Sequence, residues 1–136
     1  MPANLRFVAL LLGLGVIGAL LSGVVQHRET TAQAKRAAEA MAHGRVAAGR
    51  AAIVRLGCGA CHVIPGIAVA TGQVGPTLDG VAGRAMIGGR LANDPANLAI
   101  WIRSPQHVSP GTGMPAQPMS QQQARDIAAY LYTLKP

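Results

Sequence analysis

The longest apolar segment of the chain lies near its start, at residues 7–25, which read FVALLLGLGVIGALLSGVV and contain no charged side chain. A helix of this length is sufficient to cross the hydrocarbon core of a bilayer. A cleaved signal peptide has a shorter apolar run that is followed at once by a small-residue cleavage site. Here the polar residues 26–29 separate the run from the nearest A-x-A pattern, at 32–34. We therefore predict an uncleaved transmembrane anchor over residues 1–27.

The middle of the chain shows weaker patterns. Residues 28–44 are rich in alanine, carry mixed charges and show no strong apolar stripe, which predicts a helical or semi-ordered spacer that ends near Gly44. From Arg45 to Leu56, apolar positions recur at helical spacing, so a short amphipathic helix is predicted there. Proline and glycine interrupt the segment 63–76, and they indicate a loop.

A further helix is predicted to begin at Asp94-Pro95. Aspartate caps the free amide groups of a first helical turn, and proline fits that turn because it has no amide hydrogen to leave unpaired. This helix is predicted to end at about Arg103. The following segment, 104–119, contains four prolines, which predicts irregular structure because each proline removes a backbone donor.

The last predicted helix begins with a capping signal. Ser120 and Gln123 have the spacing of a capping box, in which each side chain bonds the other residue's backbone amide. The helix is predicted to run to about Leu134. Since no strand pattern is visible, we predict an all-α fold for a domain at residues 45–136, preceded by the spacer at 28–44 and the anchor.

Composition indicates that the domain does not fill its interior with its own side chains. The sequence contains one Phe, one Trp and two Tyr among 136 residues, so a small domain of this composition has a thin core. A buried cofactor supplies the missing apolar bulk. The net charge is +7, which raises the question of a nucleic-acid partner. The arginines are dispersed and no aromatic platform is present, so we predict no binding of nucleic acid.

The two cysteines of the chain both lie in the segment Cys58-Gly59-Ala60-Cys61-His62. Two cysteines at this spacing followed by histidine are the pattern for covalent attachment of haem c. A zinc site needs further ligands, but there is no second cysteine pair and the other histidines are scattered. A redox dithiol needs no adjacent histidine and favours a βαβ setting, which is not evident. We therefore predict a single covalent haem c, with His62 as a ligand of its iron.

The order of elements around this motif resembles a class I cytochrome c over about residues 45–135. Gly49 and Ile53 resemble the glycine and bulky residue of that family's first helix, although the family's aromatic is here an isoleucine. Ile127 and Tyr130 resemble the partner positions on its last helix. The loop after the haem motif and this last helix are also similar to cytochrome c domains associated with haem-copper oxidases.

The resemblance implies specific roles for residues outside the motif. Gly75-Pro76 is similar to the family's Gly-Pro pair, which implies that the Pro76 carbonyl accepts a hydrogen bond from Nδ1 of His62. Met114-Pro115 lies where the family places its ligand methionine, which implies that Met114 is the second axial ligand. The other candidates for this ligand are Met86, Met119 and His107. Methionine elsewhere usually fills gaps in a core.

Ligation by His62 and Met114 implies an electron carrier rather than an enzyme. An iron with both axial positions filled offers no site to a substrate, and a thioether ligand raises the reduction potential. The implied partners are redox proteins, as a subunit of, or tethered donor to, a respiratory complex such as a terminal oxidase. The alternative is a haem protein with an open distal site that acts as an enzyme or a gas sensor.

The haem motif also predicts the orientation of the anchor. Basic residues flank the apolar run 7–25 on both sides, so charge does not decide which end is cytoplasmic. Covalent attachment of haem in bacteria takes place outside the cytoplasm. We therefore predict a single-pass protein of the bacterial inner membrane with its haem domain on the periplasmic side.

Overall fold

The computed structural model describes residues 2–134. They divide into two compact units, one that extends to Ala34 and one that begins at Lys35. In the first unit the chain is α-helical from Ala3 onward, as part of helix α1, Ala3–Ala42. The side chains of the predicted anchor at 7–25 are exposed. The helix is long and apolar enough to cross a membrane, so the predicted anchor is a candidate membrane span.

The second unit contains the last turns of α1, four further helices and a short hairpin. Its helices are α2 (Val46–Arg55), α3 (Pro95–Arg103), α4 (Pro105–Val108) and α5 (Gln121–Leu131), and its antiparallel strands are β1 (Met86–Ile87) and β2 (Leu91–Ala92). The mostly helical fold that the sequence predicts is confirmed.

The two predicted capping signals begin helices as expected. The Asp94 carboxylate accepts a hydrogen bond from the backbone amide of Asn97 at 2.8 Å, at the start of α3. At the start of α5, the Ser120 hydroxyl accepts from the Gln123 amide at 3.2 Å, and the Gln123 side chain accepts from the Ser120 amide at 2.8 Å. The capping box is therefore complete, although α5 ends at Leu131, slightly earlier than predicted.

Two short elements were not predicted. The segment 104–119 is not irregular throughout, because Pro105 stands at the first position of α4, where it needs no amide donor. The hairpin of β1 and β2 turns through Gly88 and Gly89, with φ of 55° and 67°, a conformation that glycine adopts without steric cost. With two residues in each strand, neither strand has room for the alternating pattern by which strands are detected.

The second compact unit includes the last turns of α1, which precede the predicted domain at 45–136. Ala38 and Ala42 in the last turns of α1 are 1% and 4% exposed, because their small side chains allow close packing. The helix ends where His43 takes a left-handed conformation, with φ of 49°. Gly44 then lies against the backbone of α5 so closely that a Cβ would overlap it.

The core is built around the contact of α2 with α5. Ile53 and Ile127 are each 1% exposed. Gly49 lies against the backbone carbonyl of Asp126, and a Cβ at this position would overlap that carbonyl. The largest fully buried side chains are isoleucines and a proline, as expected of a domain with few aromatics.

The tight contact at Gly49 gives a prediction for stability. We expect Gly49→Ala to lower the free energy of unfolding by about 3 kcal/mol, because the added methyl group meets backbone atoms that cannot move aside independently. Gly113→Ala is the matched control, since no atom lies within 4 Å of a Cβ there. Denaturant titration of both variants checks this, and equal stability of the two would contradict the assigned packing.

Two buried tyrosines predict a loss of stability at high pH. Burial raises the pKa of Tyr130, although the positive charge of Arg50 acts to lower it. Burial and, to a smaller extent, the negative charge of Asp94 raise the pKa of Tyr132. Raised pKa values mean that the folded state holds these protons more tightly, so their contribution is complete below the unfolded pKa of about 10 and is lost as pH rises through the folded values. We expect the free energy of unfolding to fall above about pH 10, less steeply in the double variant Y130F/Y132F. A stability that stays flat across this range would refute the assignment.

Candidate functional site

The second unit contains a cavity of about 600 Å³, within the size range of small-molecule and cofactor sites. Its lining is mainly apolar and comes from α2, α3, α5 and the loops between them. The five site residues singled out in the sequence all line it: Cys58, Cys61, His62, Pro76 and Met114. Pro76 and Met114 are distant in sequence from the Cys58–His62 motif, so the fold brings the three segments to one place.

A sharp turn after α2 places the attachment motif at the cavity. Gly57 takes a left-handed conformation, with φ of 69°, and a 3₁₀ turn follows from Cys58 to Ala60. The backbone amides of Cys61 and His62 both donate to the Cys58 carbonyl, at 3.3 and 3.1 Å. This turn directs both thiols and the imidazole to the same cavity.

The two thiols are free and partly buried. Burial raises the pKa of the Cys58 thiol; a backbone hydrogen bond lowers it, and Cys61 raises it again. Reactive dithiols of the Cys-x-x-Cys type have a lowered pKa that produces the thiolate at neutral pH. The environment of Cys58 instead disfavours its thiolate.

His62 is held in one orientation by the loop that follows the motif. Its Nδ1 lies 2.7 Å from the Pro76 carbonyl oxygen. Because a carbonyl can only accept, Nδ1 carries the hydrogen and donates it, which leaves Nε2 with a free lone pair. The preceding residue, Gly75, lies against the imidazole so closely that a Cβ would overlap the ring. Metal-ligating histidines commonly donate their other ring N–H to such a carbonyl, so Nε2 is available as a ligand.

Met114 lies on the loop between α4 and α5 and is half-buried. The Gln106 side-chain amide fixes this loop, since it donates to the carbonyls of Thr112 and, at 3.2 Å, Met114. Its oxygen accepts from the Gly111 amide at 3.1 Å. Sequence reasoning missed Gln106, because it is an exposed glutamine whose role depends on hydrogen bonds to a loop that the sequence does not reveal.

The other candidates for the second ligand are placed differently. Met86 also lines the cavity, but its side chain is 48% exposed. Met119 packs against the hydrophobic core. His107 is exposed and does not belong to the described lining.

The cavity's chemistry fits a haem. Haem needs a large apolar enclosure, two thiols for its vinyl groups and an imidazole with a free lone pair, and the cavity supplies all three. Among the described lining residues, Arg84 carries the one permanent charge, a counter-charge for the acidic groups of such a cofactor.

Comparison with known proteins agrees with this chemistry. The model of the family described as Cytochrome c matches residues 46–135. The chain is also 38% identical over 88 residues to a protein of Alkalihalophilus pseudofirmus named cytochrome c oxidase subunit 2. That match covers 64% of this chain and 25% of the relative, so the chain corresponds to about a quarter of the relative's length.

Proposed function

Because the chain belongs to the cytochrome c family, in which a covalently bound haem transfers electrons, we propose that Cys58, Cys61 and His62 hold this haem and that Met114 is its second axial ligand. The observation that carries the proposal is the hydrogen bond from Nδ1 of His62 to the Pro76 carbonyl. It leaves Nε2 free to bind the iron beside the two attachment thiols.

The haem supplies a one-electron couple between ferric and ferrous iron. The protein attaches the haem, orients its ligand and tunes its reduction potential. Cys58 and Cys61 attach the group through their thiols, and His62 is oriented by Pro76. The Met114 thioether favours the ferrous state and therefore raises the reduction potential. The apolar lining excludes water, which reduces the reorganisation that accompanies a change of charge.

With His62 and Met114 both bound, the iron has no open position, so we propose an electron carrier rather than an enzyme. The alternative, a haem protein with an open distal site, requires that Met114 stay away from the iron. Gln106 opposes this, since it holds the backbone of the Met114 loop at three points.

Carbon monoxide distinguishes the carrier from the alternative. The purified, reduced protein is expected to leave carbon monoxide unbound, and its haem is expected to stay with the polypeptide on a denaturing gel. Rapid binding of carbon monoxide by the unaltered protein would favour an enzyme or a sensor. Loss of the haem on denaturation would refute covalent attachment.

For location, we propose a single-pass anchor in the bacterial inner membrane with the haem domain on the periplasmic side. The support is the helix that is long and apolar enough to span a bilayer, together with covalent haem attachment. Protease added to intact spheroplasts should remove the haem domain. Protection of the domain until the membrane is opened would contradict this orientation.

For partners, we propose an acidic surface of a respiratory complex such as a terminal oxidase. The relative is itself named an oxidase subunit. Of the chain's five acidic residues, three accept hydrogen bonds from backbone amides in the second unit: Glu39, Asp94 and Asp126. Twelve Lys and Arg against these five acidic residues leave the chain with a net charge of +7, and such a positive excess steers an acidic partner. The exposed arginines include Arg50, Arg55, Arg90 and Arg103.

Purification in a mild detergent at low and at high salt tests the partner proposal. Redox subunits are expected to co-purify at low salt and to dissociate as salt screens the charges. Recovery of a lone monomer at low salt would refute a fixed subunit and would leave a tethered shuttle as the role of the chain.

A further inference from the structure

The carbonyl that orients His62 belongs to a loop that other parts of the fold hold in place. The Arg84 guanidinium donates to the carbonyl of Thr77, the residue directly after Pro76, and at 3.2 Å to that of Asp79. The position of the Pro76 peptide thus depends on where Arg84 lies.

Arg84 is in turn held by Asn93. The side-chain amide of Asn93 donates to the Val81 carbonyl at 2.7 Å and to the Arg84 carbonyl at 2.8 Å. These two carbonyls bracket the 3₁₀ turn Val81–Gly83. Both donors of the amide are therefore used to fix the turn that carries Arg84.

Asn93 is oriented by a residue at the end of the last helix. The Tyr132 hydroxyl donates to the Asn93 side-chain oxygen at 3.1 Å. An asparagine that donates through its nitrogen to two carbonyls and accepts through its oxygen from a hydroxyl has a single consistent orientation. Tyr132 is buried, at 8% exposure, so water does not readily replace this bond.

We propose that Tyr132 and Asn93 are positioning residues for His62, acting through Arg84 and the loop that carries Pro76. This rests on the proposed role of His62 as an axial ligand. The hydrogen bond from Nδ1 makes the imidazole a stronger donor to the iron, and hydrogen bonds to an axial ligand are one means by which a protein sets a haem potential. A relay that fixes the Pro76 carbonyl therefore sets the potential from a distance.

The substitution Tyr132→Phe is expected to raise the reduction potential and to speed exchange of the His62 ring hydrogen. Tyr132→Phe removes the hydroxyl and frees the Asn93 amide to rotate, which loosens the turn and lengthens the bond to His62. The weaker imidazole donor favours the ferrous state, so the reduction potential rises. The Nδ1 hydrogen of His62 exchanges with solvent faster, by up to about fivefold, the factor to which the complete loss of one hydrogen bond corresponds.

The test compares Tyr132→Phe with Tyr130→Phe in the purified full-length holoprotein. Tyr130 is buried to the same degree, at 7% exposure, but its hydroxyl donates to the Pro65 carbonyl at 2.7 Å, outside the relay. Potentiometric titration and proton NMR of the His62 ring are the readouts. We expect Tyr132→Phe to change both and Tyr130→Phe to change neither. Equal changes in the two variants, or none in Tyr132→Phe, would overturn the proposal.

The variant Asn93→Ala tests whether Tyr132 acts through Asn93. If Tyr132 acts through Asn93, the double variant N93A/Y132F has the potential and exchange rate of Asn93→Ala alone, whereas additive changes would refute the relay. The spectrum of the unaltered protein tests the ligation of iron by His62 separately from the relay. A His62 ring without the spectral signature of an iron ligand there would refute the proposed ligation, whatever the variants show.

Discussion

Met114→Ala is expected to convert the protein from an electron carrier into an open haem protein. Without the thioether the iron loses its second axial ligand, so the ferric spectrum becomes high-spin and the reduced protein binds carbon monoxide. The potential is expected to fall by on the order of a few tenths of a volt, within the range of about 0.8 V over which axial ligands tune haems. Optical spectroscopy and potentiometric titration measure these changes.

Met86→Ala is the matched control, because Met86 lines the same cavity and the substitution removes the same atoms. We expect the Met86 variant to keep the low-spin spectrum and to exclude carbon monoxide. The opposite pattern, with the spectrum lost in the Met86 variant and kept in the Met114 variant, would show that the ligand is Met86.

Gly75→Ala is expected to disrupt the other side of the iron. A Cβ at this position overlaps the imidazole of His62, so the ring or the loop must move and the hydrogen bond to Pro76 is lost. Overpacking at such a site costs about 1–3 kcal/mol. We expect a lower free energy of unfolding, a raised potential and a reduced yield of haem-containing protein, measured by denaturant titration, potentiometry and haem staining.

Gly113→Ala serves as the control for this second substitution. Gly113 directly precedes the other proposed ligand, yet no atom lies within 4 Å of a Cβ there. If both alanine variants assemble with haem in the same yield and have the same potential, the close contact of Gly75 with His62 is not needed to hold the imidazole in place.

Sequence signals predicted the elements whose ends are determined locally. The Asp94-Pro95 pair and the Ser120 capping box begin α3 and α5 because each signal satisfies amides within its own first turn. The attachment motif is equally local, since the turn after Cys58 brings both thiols and His62 to the cavity. Such features depend on neighbours in sequence and are therefore visible in it.

Features that depend on distant neighbours were not predictable in this way. The packing of Ala38 and Ala42 and the close approach of Gly44 to α5 show where the second unit begins. Alanine and glycine in a charged segment give no sign of a packed surface. The hairpin was likewise not predictable, because strands of two residues are too short to show an alternating pattern of apolar and polar residues.

The residues that hold the ligand loops were missed for the same reason. Gln106 and Asn93 are polar residues that look like ordinary surface positions in the sequence. They matter because their side-chain amides donate hydrogen bonds to backbone carbonyls of turns that exist only in the folded chain. The resemblance supplied Pro76 and Met114, while the side chains that support them required the structure.

The most direct measurement is the NMR spectrum of the reduced protein labelled with ¹³C at the methionine methyl groups. A methyl group bound to the iron through its sulfur is shifted far upfield by the haem ring current, whereas the other methionines stay near their usual positions. We expect one such signal among the five methionines, and we expect Met114→Leu to abolish it and Met86→Leu to retain it. A spectrum without a shifted methyl signal, or a shifted signal that survives Met114→Leu, would contradict a six-coordinate site formed by His62 and Met114.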